Sequence, residues 1–167
     1  MSNRVKDVVK VGMVSFAHMH AYSYAAAVKS LPGVELVGIS DEEAGRGREA
    51  AERFGTEYVG GHQALLARDL DAVIICSTNA DHAELTIAAA RAGKHVLVEK
   101  PIATNAPDAR RMIAACQASG VQLQVAFPCR YQPAVARVKE LIDQGAIGRV
   151  VAIKGTNHGR MPGGWFV

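Results

Sequence analysis

The feature that most constrains this chain is a rhythm. Short apolar runs rich in β-branched residues alternate with helix-length stretches from Val8 to Phe127. Residues 8–15 (VVKVGMVS), 34–40 (VELVGIS), 72–76 (AVIIC), 95–99 (HVLVE) and 121–127 (VQLQVAF) read as strands, with a weaker one at 57–59. Helices are expected over 20–30, 42–54, 63–68, 81–92 and 105–118. Leu31-Pro32-Gly33, Gly55, Gly93 and Gly120 close four of them, and Asn105 with Asp108 three residues on caps the start of the last. Strands this apolar are buried on both faces, which requires a parallel sheet with helices on each side. Crossovers of this length form right-handed βαβ units. The expected fold class is therefore α/β, a doubly wound parallel-sheet Rossmann domain over residues 1–127.

After Phe127 the rhythm changes. One more helix is expected over 133–144 and one more strand over 150–156, before a Gly-rich tail, GRMPGGWFV. Residues 128–167 thus read as a linker helix and the first strand of a second domain that is cut short.

Composition narrows the function. A hydrophobic share of 49% supplies a core, which argues against disorder. The formal net charge is +3 with Lys and Arg scattered, and no RRM, zinc-finger or basic-arm signature occurs, so nucleic acid is not an expected partner. No apolar run approaches the ~18 residues of a membrane span, and MSNRVKDVVK lacks the apolar segment of a signal peptide. Cys76, Cys116 and Cys129 lie far apart without a CxxC pair, which fits a reducing cytoplasm.

Candidate site residues fall where strands end. The first strand-to-helix turn is the natural phosphate site, because helix N-termini offer backbone N–H groups and a positive dipole end. The GxGxxG fingerprint would lie on Ser15-Phe16-Ala17-His18-Met19-His20, and none of its glycines is present. Ser15 and Ala17 are small enough to permit backbone approach, with His18 and Met19 beside them. Asp41 ends the second strand, where a carboxylate accepts hydrogen bonds from the hydroxyls of an adenosine ribose and repels a 2′-phosphate, favouring NAD over NADP. It is equally placed to cap the helix that follows. His18-x-His20 after a strand has a rival reading, the zinc ligands of a barrel hydrolase, which requires further ligands at later strand ends and a longer chain. Ser77, Asn79 and His82 follow AVIIC at the same sheet edge as Glu99 and Lys100, and Asn79 or Asp81 is also a suitable helix cap. The run HVLVEKPIAT stops on an acid, a base and a proline, so the strand end mounts Glu99 and Lys100 rigidly.

The stretch DAVIICSTNADHAELTIAAARAGKHVLVEKPIAT strongly resembles the Gfo/Idh/MocA oxidoreductases. The match to their AGKHVhxEKP element, with h apolar, is continuous from Ala92 to Pro101. Asn79 and His82 match the family's TPNxxH, and residues 125–150 resemble its GFNRRF segment and the helix after it, with Arg130 retained and Pro128-Cys129 replacing Asn-Arg. The resemblance implies a Rossmann domain followed by an α+β domain, and hydride transfer between NAD(P) and a hydroxyl carbon, mostly of sugars and polyols. It implies that Lys100 bonds the reacting hydroxyl and a cofactor ribose, that Glu99 lies near the nicotinamide ribose, and that the Lys100-Pro101 bond is cis. Arg130 joins the expected cofactor-binding set with Ser15, Ala17, His18, Met19, Asp41, Ser77, Asn79, His82, Glu99 and Lys100. The family's acid/base Asp and His come from its second domain, after a GGW-like segment matched by Gly163-Gly164-Trp165, and its members often associate through the large sheet there. The chain is thus expected to carry the cofactor module and the lysine without the full catalytic set. A non-catalytic nucleotide-binding sensor, or one part of a split assembly, is the alternative of a different class.

Overall fold

The computed structural model describes residues 8–156. In chain order its elements are β1 (Val9–Val14), α1 (His20–Ser30), β2 (Val34–Ser40), α2 (Ala44–Phe54), β3 (Glu57–Tyr58), α3 (His62–Leu66), β4 (Ala72–Ile75), α4 (His82–Arg91), β5 (His95–Glu99), α5 (Ala106–Ser119) and β6 (Leu123–Ala126). A 3-10 turn (Pro128–Tyr131) and α6 (Pro133–Asp143) follow. The chain divides into two compact units after Phe127.

In the first unit six strands form one sheet in the order β3-β2-β1-β4-β5-β6, with every neighbouring pair parallel. This is the doubly wound Rossmann topology, and its order reverses between β1 and β4. Alternation along the central strands builds two cores. Val11 and Met13 of β1, Ile39 of β2 and Ile74 of β4 pack with Ala21, Ala25 and Val28 of α1 and Ala50 and Ala51 of α2. On the other face Val14, Val73, Ile75, Val96 and Val98 pack with Leu65 and Leu66 of α3, Ile87 of α4 and Met112 of α5. Period-2 side chains with both faces covered explain why these strands read as unbroken apolar runs.

Local signals act as expected in α5, whose first free backbone donors are met by Asn105: its Oδ1 accepts from the Asp108 N–H at 2.9 Å. Two boundaries shift. Helix α2 starts at Ala44 and not at Glu42, because Glu43 remains extended at φ −107°, ψ 108°. The strand expected over 150–156 is not formed: Val151 and Ile153 are 85% and 84% exposed, and the second unit holds no partner strand among the described residues. A single strand leaves its N–H and C=O groups unpaired, so sequence pattern alone does not fix it. The Gly163-Gly164-Trp165 segment and His158 lie outside the described residues. No helix of the described residues is long and apolar enough to cross a membrane.

Candidate functional site

The carboxyl ends of β1, β2, β4 and β5 bring most of the candidate residues to one edge of the first unit. In the first turn Ser15 stands in the left-handed region at φ 69°, the conformation a fingerprint glycine adopts freely. The backbone form of that turn is thus kept without the residue that usually permits it. Local hydrogen bonds hold it: the Ser15 hydroxyl donates to Glu42 Oε1 at 2.9 Å and accepts from the Ala17 N–H at 3.1 Å. The Phe16 N–H donates to Asp41 Oδ2 at 2.7 Å, and the His18 N–H donates to the Cys76 carbonyl at 2.9 Å, tying the turn to β2 and β4. Helix α1 has no side-chain cap and no acid in its first turn, and small Ala17 and exposed Met19 lie at its approach. That donor end suits an anion.

Asp41 is 4% exposed and carries four contacts. Its Oδ1 accepts from the Glu43 N–H and Arg46 Nη2, each at 2.7 Å, while its Oδ2 accepts from Phe16 and from Arg46 Nε at 3.1 Å. These fill the roughly four lone-pair sites of a carboxylate. Arg46 also donates to Glu42 at 2.7 Å and to Glu43 at 3.0 Å, so one guanidinium is held among three acids. Glu43 is held extended by its bond to Asp41, which is why α2 begins late. A small cleft beside this clasp is lined by Glu42, His62, Asp81, Glu84 and Leu85, and His62 Nδ1 lies 2.9 Å from the Ser40 hydroxyl.

At the end of β5, Glu99 is buried and held by three partners. The Tyr24 hydroxyl donates to Oε1 at 2.8 Å, the Lys100 N–H donates to Oε2 at 2.7 Å, and His20 Nδ1 lies 2.7 Å from Oε1. Burial raises the carboxyl pKa, but the bonds from His20, Tyr24 and Lys100 outweigh it and leave Glu99 below the usual carboxylate range. Burial and the neighbouring acid push the Tyr24 phenol well above its ordinary value, so it stays a donor. Burial lowers the His18 pKa, with His20 and Lys100 adding to the effect and Glu99 opposing it. Lys100 is half-buried and precedes a cis bond to Pro101.

Ser77 is buried at the end of β4, and Asn79 is exposed just beyond it. His82 has no exposed surface; its Nδ1–H donates to the Pro101 carbonyl at 2.8 Å, so it positions the turn after Lys100. Arg130 is exposed in the 3-10 turn of the second unit. The open sheet corrects the barrel-hydrolase reading of His18-x-His20. Arg46 and Tyr24 were not singled out in the sequence. The available signals were the five-residue spacing from Asp41 into a helix and the four-residue spacing from His20 to Tyr24 on α1.

The family model for the Gfo/Idh/MocA proteins, described as an oxidoreductase family with an NAD-binding Rossmann fold, matches residues 7–127. The chain belongs to this family. Inositol 2-dehydrogenase of Salmonella paratyphi B is 32% identical over 155 residues, covering 90% of this chain and 45% of that protein. A dTDP-3,4-didehydro-2,6-dideoxy-alpha-D-glucose 3-reductase of Actinomadura kijaniata is 36% identical over 143 residues, covering 85% of this chain and 43% of that protein. Among solved structures, KijD10, a 3-ketoreductase from the same organism in complex with NADP, superposes with a TM-score of 0.76 at 36% identity, covering 84% of this chain and 45% of that one. The chain therefore spans about half the length of the relatives it matches. A Gfo/Idh/MocA domain with this topology is an NAD(P)-binding fold. The uncapped donor end of α1 suits the phosphates of such a cofactor, whereas the Asp41 carboxylate is already met by Phe16, Glu43 and Arg46.

Proposed function

We propose that this chain is the NAD-binding part of an oxidoreductase that moves hydride between a nicotinamide cofactor and a hydroxyl-bearing carbon of a sugar or polyol. The observation that carries the reading is Lys100 at the end of β5, on the same sheet edge as the first turn and Asp41. When bound, the cofactor supplies the carbon that accepts or gives the hydride. Lys100 would hold the reacting oxygen and stabilise the negative charge that develops there as the hydroxyl proton leaves or, in the reverse direction, as hydride adds to the carbonyl carbon. Glu99 fixes the lysine's backbone, and His82 fixes the carbonyl after it. Ser15, Ala17, His18 and Met19 form the approach to α1, and Ser77 and Asn79 line the end of β4.

Within this reading NAD is preferred to NADP. Asp41, Glu42 and Glu43 surround one arginine, so the adenosine end meets an excess of negative charge that opposes a 2′-phosphate. Ribose hydroxyls engage Asp41 as Arg46 yields part of its contact. Calorimetric titration of the chain with NADH and NADPH tests this: NADH should bind more tightly, and Asp41→Ser should lose roughly tenfold in NADH affinity, the scale of one charge-assisted bond. Tighter binding of NADPH would remove the ribose role of Asp41, and binding of neither would remove the cofactor reading. In the longer parent protein, Lys100→Met should abolish most hydride transfer while leaving the fold intact, read as NADH formation over a panel of sugars and polyols. Near-parental turnover would leave Lys100 without a catalytic role.

A further inference from the structure

His18, His20 and Glu99 each offer one ligand atom, and these three atoms lie within 4.8 Å of one another. The histidines come from the first turn and the start of α1, while the glutamate comes from the end of β5, 79 residues beyond His20. We propose that they form a binding site for a divalent transition-metal ion of the zinc type.

The donor set is two imidazoles and one carboxylate, the ligand chemistry that first-row divalent ions take. Three protein ligands leave a coordination position open for water or for a hydroxyl oxygen of a polyol. The two rings sit edge to face, with centroids 4.5 Å apart and an interplanar angle of 70°. His18 is buried and its Nδ1 accepts from the His20 N–H, so that nitrogen carries a lone pair. The Glu99 side chain has no exposed surface, whereas that of His20 is 38% exposed. A buried carboxylate needs a compensating positive partner, which an ion supplies more fully than one imidazole. Tyr24 and the Lys100 N–H already orient the carboxylate from behind, as outer contacts orient metal ligands.

Binding requires modest movement. Bonds of ~2.1 Å place tetrahedral ligands roughly 3.4 Å apart. The hydrogen between His20 Nδ1 and Glu99 leaves that position, and His18 Nδ1 gives up its 3.2 Å contact with the His20 N–H if that nitrogen is the ligand. The 2.7 Å separation of His20 Nδ1 and Glu99 Oε1 opens to that spacing as the ion enters between them.

The site does not require the cofactor reading, although His18 and Glu99 also belong to the expected cofactor-binding set. The test is calorimetric titration of the chelator-treated 167-residue chain with zinc chloride. Saturable binding at one ion per chain is expected. His18→Asn, His20→Asn and Glu99→Gln should each weaken it by at least about tenfold, and Tyr24→Phe by roughly tenfold as an outer contact. His95→Gln, at the start of β5 where the ring accepts from the Gln122 N–H, should leave it unchanged. Circular dichroism of each variant identifies any that fails to fold, and the half-exposed His20 and Tyr24 positions keep the test open if Glu99→Gln does. Absence of saturable binding, or equal binding by the folded His18, His20 and Tyr24 variants, would overturn the site and leave a hydrogen-bonded cluster only. NADH titration of the chelated chain reads the cofactor proposal separately.

Discussion

Glu99 is where α1 meets the end of β5. It is buried as a carboxylate and is paired by a phenol, an imidazole and a backbone N–H. A hydrogen bond to a buried charge contributes about 1.5–3 kcal/mol, so Tyr24→Phe should lower the unfolding free energy by that amount with the slope in urea unchanged. Equilibrium urea unfolding of both proteins checks it, and a change below ~0.5 kcal/mol would mean that water replaces the phenol. At this scale the sequence was informative about strand-end residues. Glu99, Lys100 and Asp41 are legible because a polar residue closing an apolar run has little reason to be there except to face a cleft. Tyr24 and Arg46 were not legible as partners. The Tyr24 contact joins residues 75 apart, and nothing in local pattern specifies it. His82 is fully buried with its Nδ1 2.8 Å from the Pro101 carbonyl, a placement the sequence leaves open because a histidine in the first turn of a helix can face either the cleft or the core.

Among elements, α2 depends on close approach. A Cβ on Gly47 would stand 2.4 Å from Tyr58 Cε2 and 2.8 Å from Asp41 Cβ. Both are nearer than real contacts allow, so Gly47→Ala must push α2 away from β2 and β3. Overpacking of this kind costs about 1–3 kcal/mol. The same displacement disturbs the clasp between Asp41 and Arg46, so weaker NADH binding should accompany the lower midpoint in urea. Loss of stability without any change in affinity would show that the clasp is indifferent to the helix. Element existence was well marked here, since five of the six strands are strongly apolar and their helices end on glycine or proline. Element edges were less so. Helix α2 starts late because Glu43 is committed to Asp41, a tertiary contact that overrides a good helix former. The expected strand over 150–156 shows the opposite limit: alternating valine and isoleucine favour a strand, but a strand also needs a neighbour.

For the whole molecule, the second unit carries Val138, Ile147, Val151 and Ile153 at 56%, 61%, 85% and 84% exposure. Large apolar side chains left this exposed favour association. The purified 167-residue chain should therefore self-associate, and light scattering over a concentration series checks it. A monodisperse monomer throughout would contradict the expectation. The sheet order has another consequence, one of time. Strand β1 is made first yet lies in the middle, between β2 and β4. Its Val11 pairs with Ala72, 61 residues later. At a synthesis rate of roughly 5–20 residues per second, β1 waits about 3–12 s for its second neighbour. During that interval an apolar strand has one edge open to any other nascent chain or chaperone. The earliest part of the site to be synthesised is thus enclosed only after β2, which is made later, and slow translation between β2 and β4 would lengthen its exposure.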